Sequence, residues 1–272
     1  MTLLSDTSPE AEKVLESVFQ QMPMGRKWQL IEETYTEGRA IHAIGVRLRN
    51  SSATLRDIHV DWLRARLDLS IPEPPAHTNF RPIPAPRNLV HLFHLFAQLD
   101  IPCVLGGSMA SSIHGVVRFN CNADITAEPF PGKEAQLVAA FGEDHYISLP
   151  AVRQAVRQRS SFNIINTSTG FKADVFIRKD RPFEQSAMSR RLTVDLPDAP
   201  GEPLSLYTAE DVILFKLWWY RLGQESAHQQ WADVQGVLKV QADKLDQAYL
   251  DHWAADLGVR DLLERARQES GV

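Results

Sequence analysis

The amino-acid sequence predicts an α+β protein, a mixed sheet flanked by helices and set between a helical N-terminal unit and a helical C-terminal region. Three observations carry that expectation. Short apolar runs ending in turn residues alternate with helical periodicity between residues 89 and 196. The stretches on either side read as amphipathic helices. Six prolines crowd residues 71–87, where they forbid regular helix and favour a stiff, extended connector. The chain therefore divides into a helical unit at 1–70, a proline-rich linker at 71–88, an α/β core at 89–196 and a helical region at 197–272.

The first helix follows from Ser8, a capping residue, and Pro9 at a favoured first position, with Val14, Val18, Phe19 and Met22 at helical spacing behind them. Two further amphipathic stretches run near 25–49 and 53–68. Beyond the linker, a helix over 89–99 leads into the apolar run from Ile101 to Leu105, which Gly106 and Gly107 stop. That pattern reads as strand, tight turn and then a helix over 108–114. Strands are expected at 124–127, 161–166 and 171–177, with helices over 133–141 and 150–158 between them. Thr208 and Asp211 open the dense run from Val212 to Tyr220 as a capped helix, and stretches near 225–240, 245–257 and 259–269 continue it.

Composition narrows the class. A chain of 272 residues, 44% hydrophobic and 23% charged, has the make-up of a globular protein with room for two compact units. No apolar run reaches the roughly 18 residues of a membrane span, and Ser5, Asp6, Ser8, Glu10 and Glu12 stand where a signal peptide would be basic and then apolar. A cytoplasmic protein without membrane contact is expected. Cys103 and Cys121 both fall in strand-like apolar segments and read as reduced core thiols rather than a disulfide.

The formal net charge of −5 excludes a protein coated in basic surface for bulk nucleic-acid binding. Charge is nevertheless uneven. Between residues 150 and 191 stand nine basic side chains, Arg153, Arg157, Arg159, Lys172, Arg178, Lys179, Arg181, Arg190 and Arg191, against three acids. A locally positive face of this kind suits a polyanionic partner.

The chemistry concentrates at a few positions. A glycine pair closing a buried strand lets backbone approach a phosphate, and the N–H groups opening the next helix direct positive charge at it. Gly106, Gly107 and Ser108 have that form. Asn122 and Asp124 are two apart on a strand and share a face. Asp174, in Lys172-Ala173-Asp174-Val175-Phe176, is a second acid surrounded by strand residues. Acids on adjacent strands below a glycine turn can hold Mg2+ against a nucleoside triphosphate, because the hard cation takes oxygen ligands and bridges phosphates; each is equally readable as a solvent-facing strand acid.

Gly106-Gly107-Ser108, the segment Arg118 to Asp124 with Asn120 and Asn122 at alternate positions, and Ala173-Asp174-Val175 together resemble the polymerase-beta-like nucleotidyltransferase superfamily. The pattern there is a glycine turn, an Asp-x-Asp strand and a third acid. The nearest likeness is to small bacterial nucleotidyltransferase-like proteins, including the toxins of abortive-infection toxin–antitoxin pairs, and it covers about residues 89–255. It implies a nucleotidyltransferase-like fold, with Asp124, Asp174 and Asn122 as catalytic and Mg2+-holding residues. It further implies that Gly106, Gly107, Ser108, Arg118, Lys216 and Asp233 contact nucleotide. Asn122 stands where the family has its first metal-binding aspartate, and Asn120 where a threonine is usual. An amide brings no negative charge, so the implied Mg2+ site is weakened.

Lys216 is a lone cation in an apolar helix and must snorkel, pair with an acid such as Asp233, or meet a ligand. Glu128, four residues past Asp124, is a minor candidate for the missing carboxylate. Trp218, Trp219 and Tyr220 read as core rather than as a base-stacking platform, and His91 and His94 as surface or packing residues rather than a zinc pair. The resemblance thus implies a protein that binds a nucleoside triphosphate with Mg2+ and transfers a nucleotidyl group to an RNA or protein hydroxyl, in a toxin setting with an antitoxin-like partner. The alternative is a catalytically inactive nucleotide-binding or interaction module that keeps the fold. A third reading has the N-terminal helical unit covering the nucleotide site.

Overall fold

A computed structural model of the chain describes residues 7–67, 86–116, 122–196 and 199–272. Three helices come first, α1 (Pro9–Gln21), α2 (Met24–Arg49) and α3 (Leu55–Leu67). The Ser8 hydroxyl caps α1 by accepting from the Ala11 N–H at 3.2 Å, as its place before Pro9 predicts. Most of the proline-rich segment lies outside the described residues, which resume just before α4 (Arg87–Gln98).

The expected strand, turn and helix follow as β1 (Cys103–Leu105) and α5 (Gly107–His114). Then come β2 (Asn122–Ala127), α6 (Glu134–Ala140), β3 (His145–Ile147), α7 (Leu149–Gln158), β4 (Ser161–Asn166), β5 (Lys172–Ile177), α8 (Pro182–Ser189), β6 (Leu192–Leu196) and β7 (Ala199–Leu206). The chain closes with α9 (Ala209–Leu222), α10 (His228–Gln241), α11 (Gln247–Asp256) and α12 (Arg260–Ser270). Among the described residues no helix is long and apolar enough to cross a membrane.

The fold is α+β. Its strands form one mixed sheet in the order β3-β4-β5-β2-β1-β7-β6, with β2 parallel to β5 and β1 parallel to β7 and the remaining neighbours antiparallel. The alternation rule places Ala123, Ile125 and Ala127 of β2 beside Ala173, Val175 and Ile177 of β5, all of them in the main hydrophobic core. The polar residues between them, Asn122, Asp124, Lys172 and Asp174, take the opposite face.

Two details add to the expected outline of a sheet flanked by helices. The stretch from 197 onward begins with a strand, not a helix: β7 occupies 199–206 and pairs with β1 well inside the sheet, Leu105 opposite Leu206. Its proline and glycine content hid a hairpin whose partner, β6, was also unread. The N-terminal helices contact the sheet's core: Ile41 and Ile44 of α2 belong to it, and the Asn88 amide of α4 donates to Glu37 at 3.0 Å.

Candidate functional site

The glycine turn sits directly on an acid. The Gly106 N–H donates to the Asp124 carbonyl at 2.8 Å, extending the β1–β2 ladder by one rung. Gly107 then turns with φ +54°, in the left-handed region, and a Cβ built on it would lie 1.6 Å from Asp124 Oδ2 and 2.4 Å from its Cγ. Glycine is therefore required twice here, for the backbone conformation and for the space that the carboxylate fills. The first turn of α5 adds the Ser108 N–H, 3.4 Å from Asp124 Oδ2. Gly107, Ser108, Asn122 and Asp124 are all half-buried and so reachable from solvent.

The parallel pairing of β2 with β5 sets Asn122 opposite Lys172 and Asp124 opposite Asp174. Neighbouring strands run about 4.8 Å apart, so the two carboxylates are side by side on one face. They differ in their surroundings. Asp174 is 3% exposed, and each of its oxygens accepts a bond: Oδ1 from the Asn163 amide on β4 at 2.6 Å, Oδ2 from the Lys172 ammonium at 2.8 Å. Burial pushes the Asp174 carboxyl above the usual carboxylate range, while Lys172 and Asn163 offset part of that effect.

The chain just ahead of α1 reaches the same place. The Ser8 N–H donates to Asn163 Oδ1 at 3.0 Å, and Lys172 Nζ also donates to the Thr7 hydroxyl. Lys172, Asn163, Thr7 and Ser8 are thus site residues that sequence reasoning missed. Lys172 carried a signal: it lies two residues before Asp174 on one strand and must share its face. Asn163 and the Thr7–Ser8 segment carried none, because only strand register and the path of α1 bring them in.

Other sequence-derived candidates fall as follows. Arg118 and Asn120 lie outside the described residues, as does Cys121. Lys216 on α9 pairs with Asp233 on α10 at 2.7 Å and with Gln230 Oε1 at 2.9 Å; both charged side chains are buried, and the ion pair is the alternative the structure shows. Glu128 is engaged by Arg178 Nε at 2.8 Å, which commits it away from Asp124. His91 packs its ring on Phe141 and His145, and His94 bonds Gln98. Tyr220 is core, while Trp219 is 38% exposed and Trp218 lies under the Arg181 guanidinium.

The basic stretch is less free than its count suggests. Lys172 is buried on Asp174, Arg178 is paired with Glu128, and Arg190 meets Glu210 while stacking on the Tyr249 ring. Among the described residues no three His, Cys, Asp or Glu side chains come together as a metal-holding group.

No family model matches this chain, and no curated protein matches it. Among the solved structures that overlap it in chain path are two of ANT(2'')-Ia. One is the crystal structure of ANT(2'')-Ia in complex with adenylyl-2''-tobramycin, 12% identical, with a TM-score of 0.41 over 64% of this chain and 97% of that one. The other is the solution structure of the antibiotic-resistance factor ANT(2'')-Ia, 13% identical, with a TM-score of 0.35 over 67% of this chain and 96% of that one. At these values the likeness is loose and assigns neither substrate nor chemistry to this chain.

Proposed function

We propose that this chain binds a nucleoside triphosphate at the Gly106-Gly107-Ser108 turn, as a nucleotidyltransferase-like binding module and not as a working transferase. The observation that supports it is the turn itself. A left-handed glycine follows a buried strand, lies on the Asp124 carboxylate and opens α5, whose Ser108 N–H points at that carboxylate. A glycine turn at a helix N-terminus is the kind of backbone that receives phosphate oxygens.

The second half of the proposal follows from the donor set for Mg2+. The ion takes near-octahedral oxygen ligands and is usually held by one or two carboxylates plus phosphate. Here Asp124 is one carboxylate, the position two residues before it is an amide, and Asp174 has both oxygens occupied by Asn163 and Lys172. The residues as arranged do not fit the ion, so no transfer step to an RNA or protein hydroxyl is assigned. An antitoxin-like partner is likewise no part of the reading.

Calorimetric titration with each of ATP, GTP, CTP and UTP tests the proposal, in Mg2+ and again in EDTA. Saturable binding of at least one nucleotide, weakened tenfold or more in Gly107→Ala, is the expected outcome. Absence of binding to all four in both buffers would sink it.

A further inference from the structure

We infer that Lys172 is the resident cation of this site and makes nucleotide binding independent of divalent metal. The inference rests on the nucleotide-binding reading and adds to it the charge state of the ligand: the free polyanion, not its Mg2+ complex.

Three observations converge. The Lys172 ammonium is 2.8 Å from Asp174 Oδ2 and already supplies that carboxylate with a positive charge. Lys172 stands opposite Asn122 in the β2–β5 register, so the strand position that lacks a carboxylate faces the one that supplies a positive charge. The two positions compensate: an acid at 122 would add a charge, and an ammonium at 172 supplies the positive charge such an acid would help to hold. Lys172 is also fixed, since it is 5% exposed and its Nζ bonds Thr7 as well as Asp174.

The electrostatic consequence is direct. Beside a buried ammonium, a second cation on the same carboxylate is repelled and loses one of its few anionic ligands. Asp124 alone, with an amide for a neighbour, makes a weak site for a hard divalent ion. Lys172 lowers the negative charge on the pair of strand acids from two to one, so less charge opposes an incoming polyanion.

The test uses the 272-residue chain, the four nucleoside triphosphates and Mn2+ as a paramagnetic probe for the divalent site. In calorimetry, wild-type affinity is expected to differ by less than about threefold between Mg2+ and EDTA. In electron paramagnetic resonance, wild-type protein should leave the free Mn2+ signal unchanged at millimolar metal. The double variant Asn122→Asp with Lys172→Met restores the acid and removes the ammonium. It should bind Mn2+, gain thermal stability on adding Mg2+, and bind nucleotide at least tenfold more tightly with Mg2+ than without. Asn122→Asp alone, which leaves the buried ion pair intact, provides a second variant and should bind Mn2+ more weakly than the double.

Tenfold or greater strengthening of wild-type nucleotide binding by Mg2+ would overturn the inference, as would stoichiometric Mn2+ binding by wild-type protein. Failure of wild-type protein to bind any nucleotide would instead overturn the proposed function, and the Mn2+ titrations would still decide whether Lys172 holds the cation's place.

Discussion

Replacing Gly107 with alanine tests the site at its narrowest point. Two costs add. The backbone holds φ +54°, and an L side chain in that region costs about 1–2 kcal/mol. The new Cβ would also meet Asp124 Oδ2 at 1.6 Å, Cγ at 2.4 Å and Cβ at 2.6 Å. Rotating the carboxylate clears the first two contacts but not the third, so β2 or the turn itself must shift, an overpacking cost of about 1–3 kcal/mol. The sum is about 2–5 kcal/mol. Gly258, between α11 and α12, supplies the control: its φ is +68° and a Cβ there meets nothing within 4 Å, so Gly258→Ala should show the backbone cost alone, about 1–2 kcal/mol. Urea denaturation of the two variants isolates the contact with Asp124 as their difference. Equal losses, to within about 0.5 kcal/mol, would refute the claim that the turn is packed on the carboxylate. Nucleotide affinity reduced less than tenfold in Gly107→Ala, about 1.4 kcal/mol, would refute its role as the phosphate cradle.

Three further outcomes are expected. Lys172→Met should lose about 3–5 kcal/mol in urea denaturation because it strands a buried carboxylate, whereas Lys172→Met with Asp174→Leu should recover most of that loss; equal losses in both would show that the pair contributes packing only. Burial pushes the Cys103 thiol up to about 12, so in the native protein at pH 8 site-resolved mass spectrometry should find Cys103 unmodified by iodoacetamide, with modification appearing on unfolding. Asp211 is fully buried, and burial raises its carboxyl above the usual value of 3.8 against the bonds from Tyr249 and Thr208. The folded state then binds the proton more tightly than the unfolded state, and this group's contribution falls as pH rises from 3.8 through the raised value. Asp211→Asn should flatten that part of the stability profile, and an unchanged slope in urea titrations across acidic pH would contradict the assignment.

The sequence by itself determined the elements whose signal is local. The strand that stops at Gly106-Gly107, the helix behind Ser8-Pro9, and the helix opened by Thr208 all depend on short-range rules of capping, alternation and backbone freedom, and all three form as those rules require. So does the shared face of Asn122 and Asp124, which period-two alternation fixes without any partner strand. What only the tertiary structure decided is pairing. Nothing in the β2 and β5 segments states that they run parallel in the register that sets Asp124 beside Asp174 and Asn122 beside Lys172, because register depends on contacts between residues some fifty apart in the chain. The β6–β7 hairpin escaped because proline and glycine interrupt β7, and its pairing with β6 and with β1 is a matter of register. The same long-range closure turned Lys172 from one more basic residue into a buried counter-ion and brought Thr7 and Ser8 to Asn163. Charge counts and motifs record which groups a chain carries, and only the fold determines which of them neutralise one another.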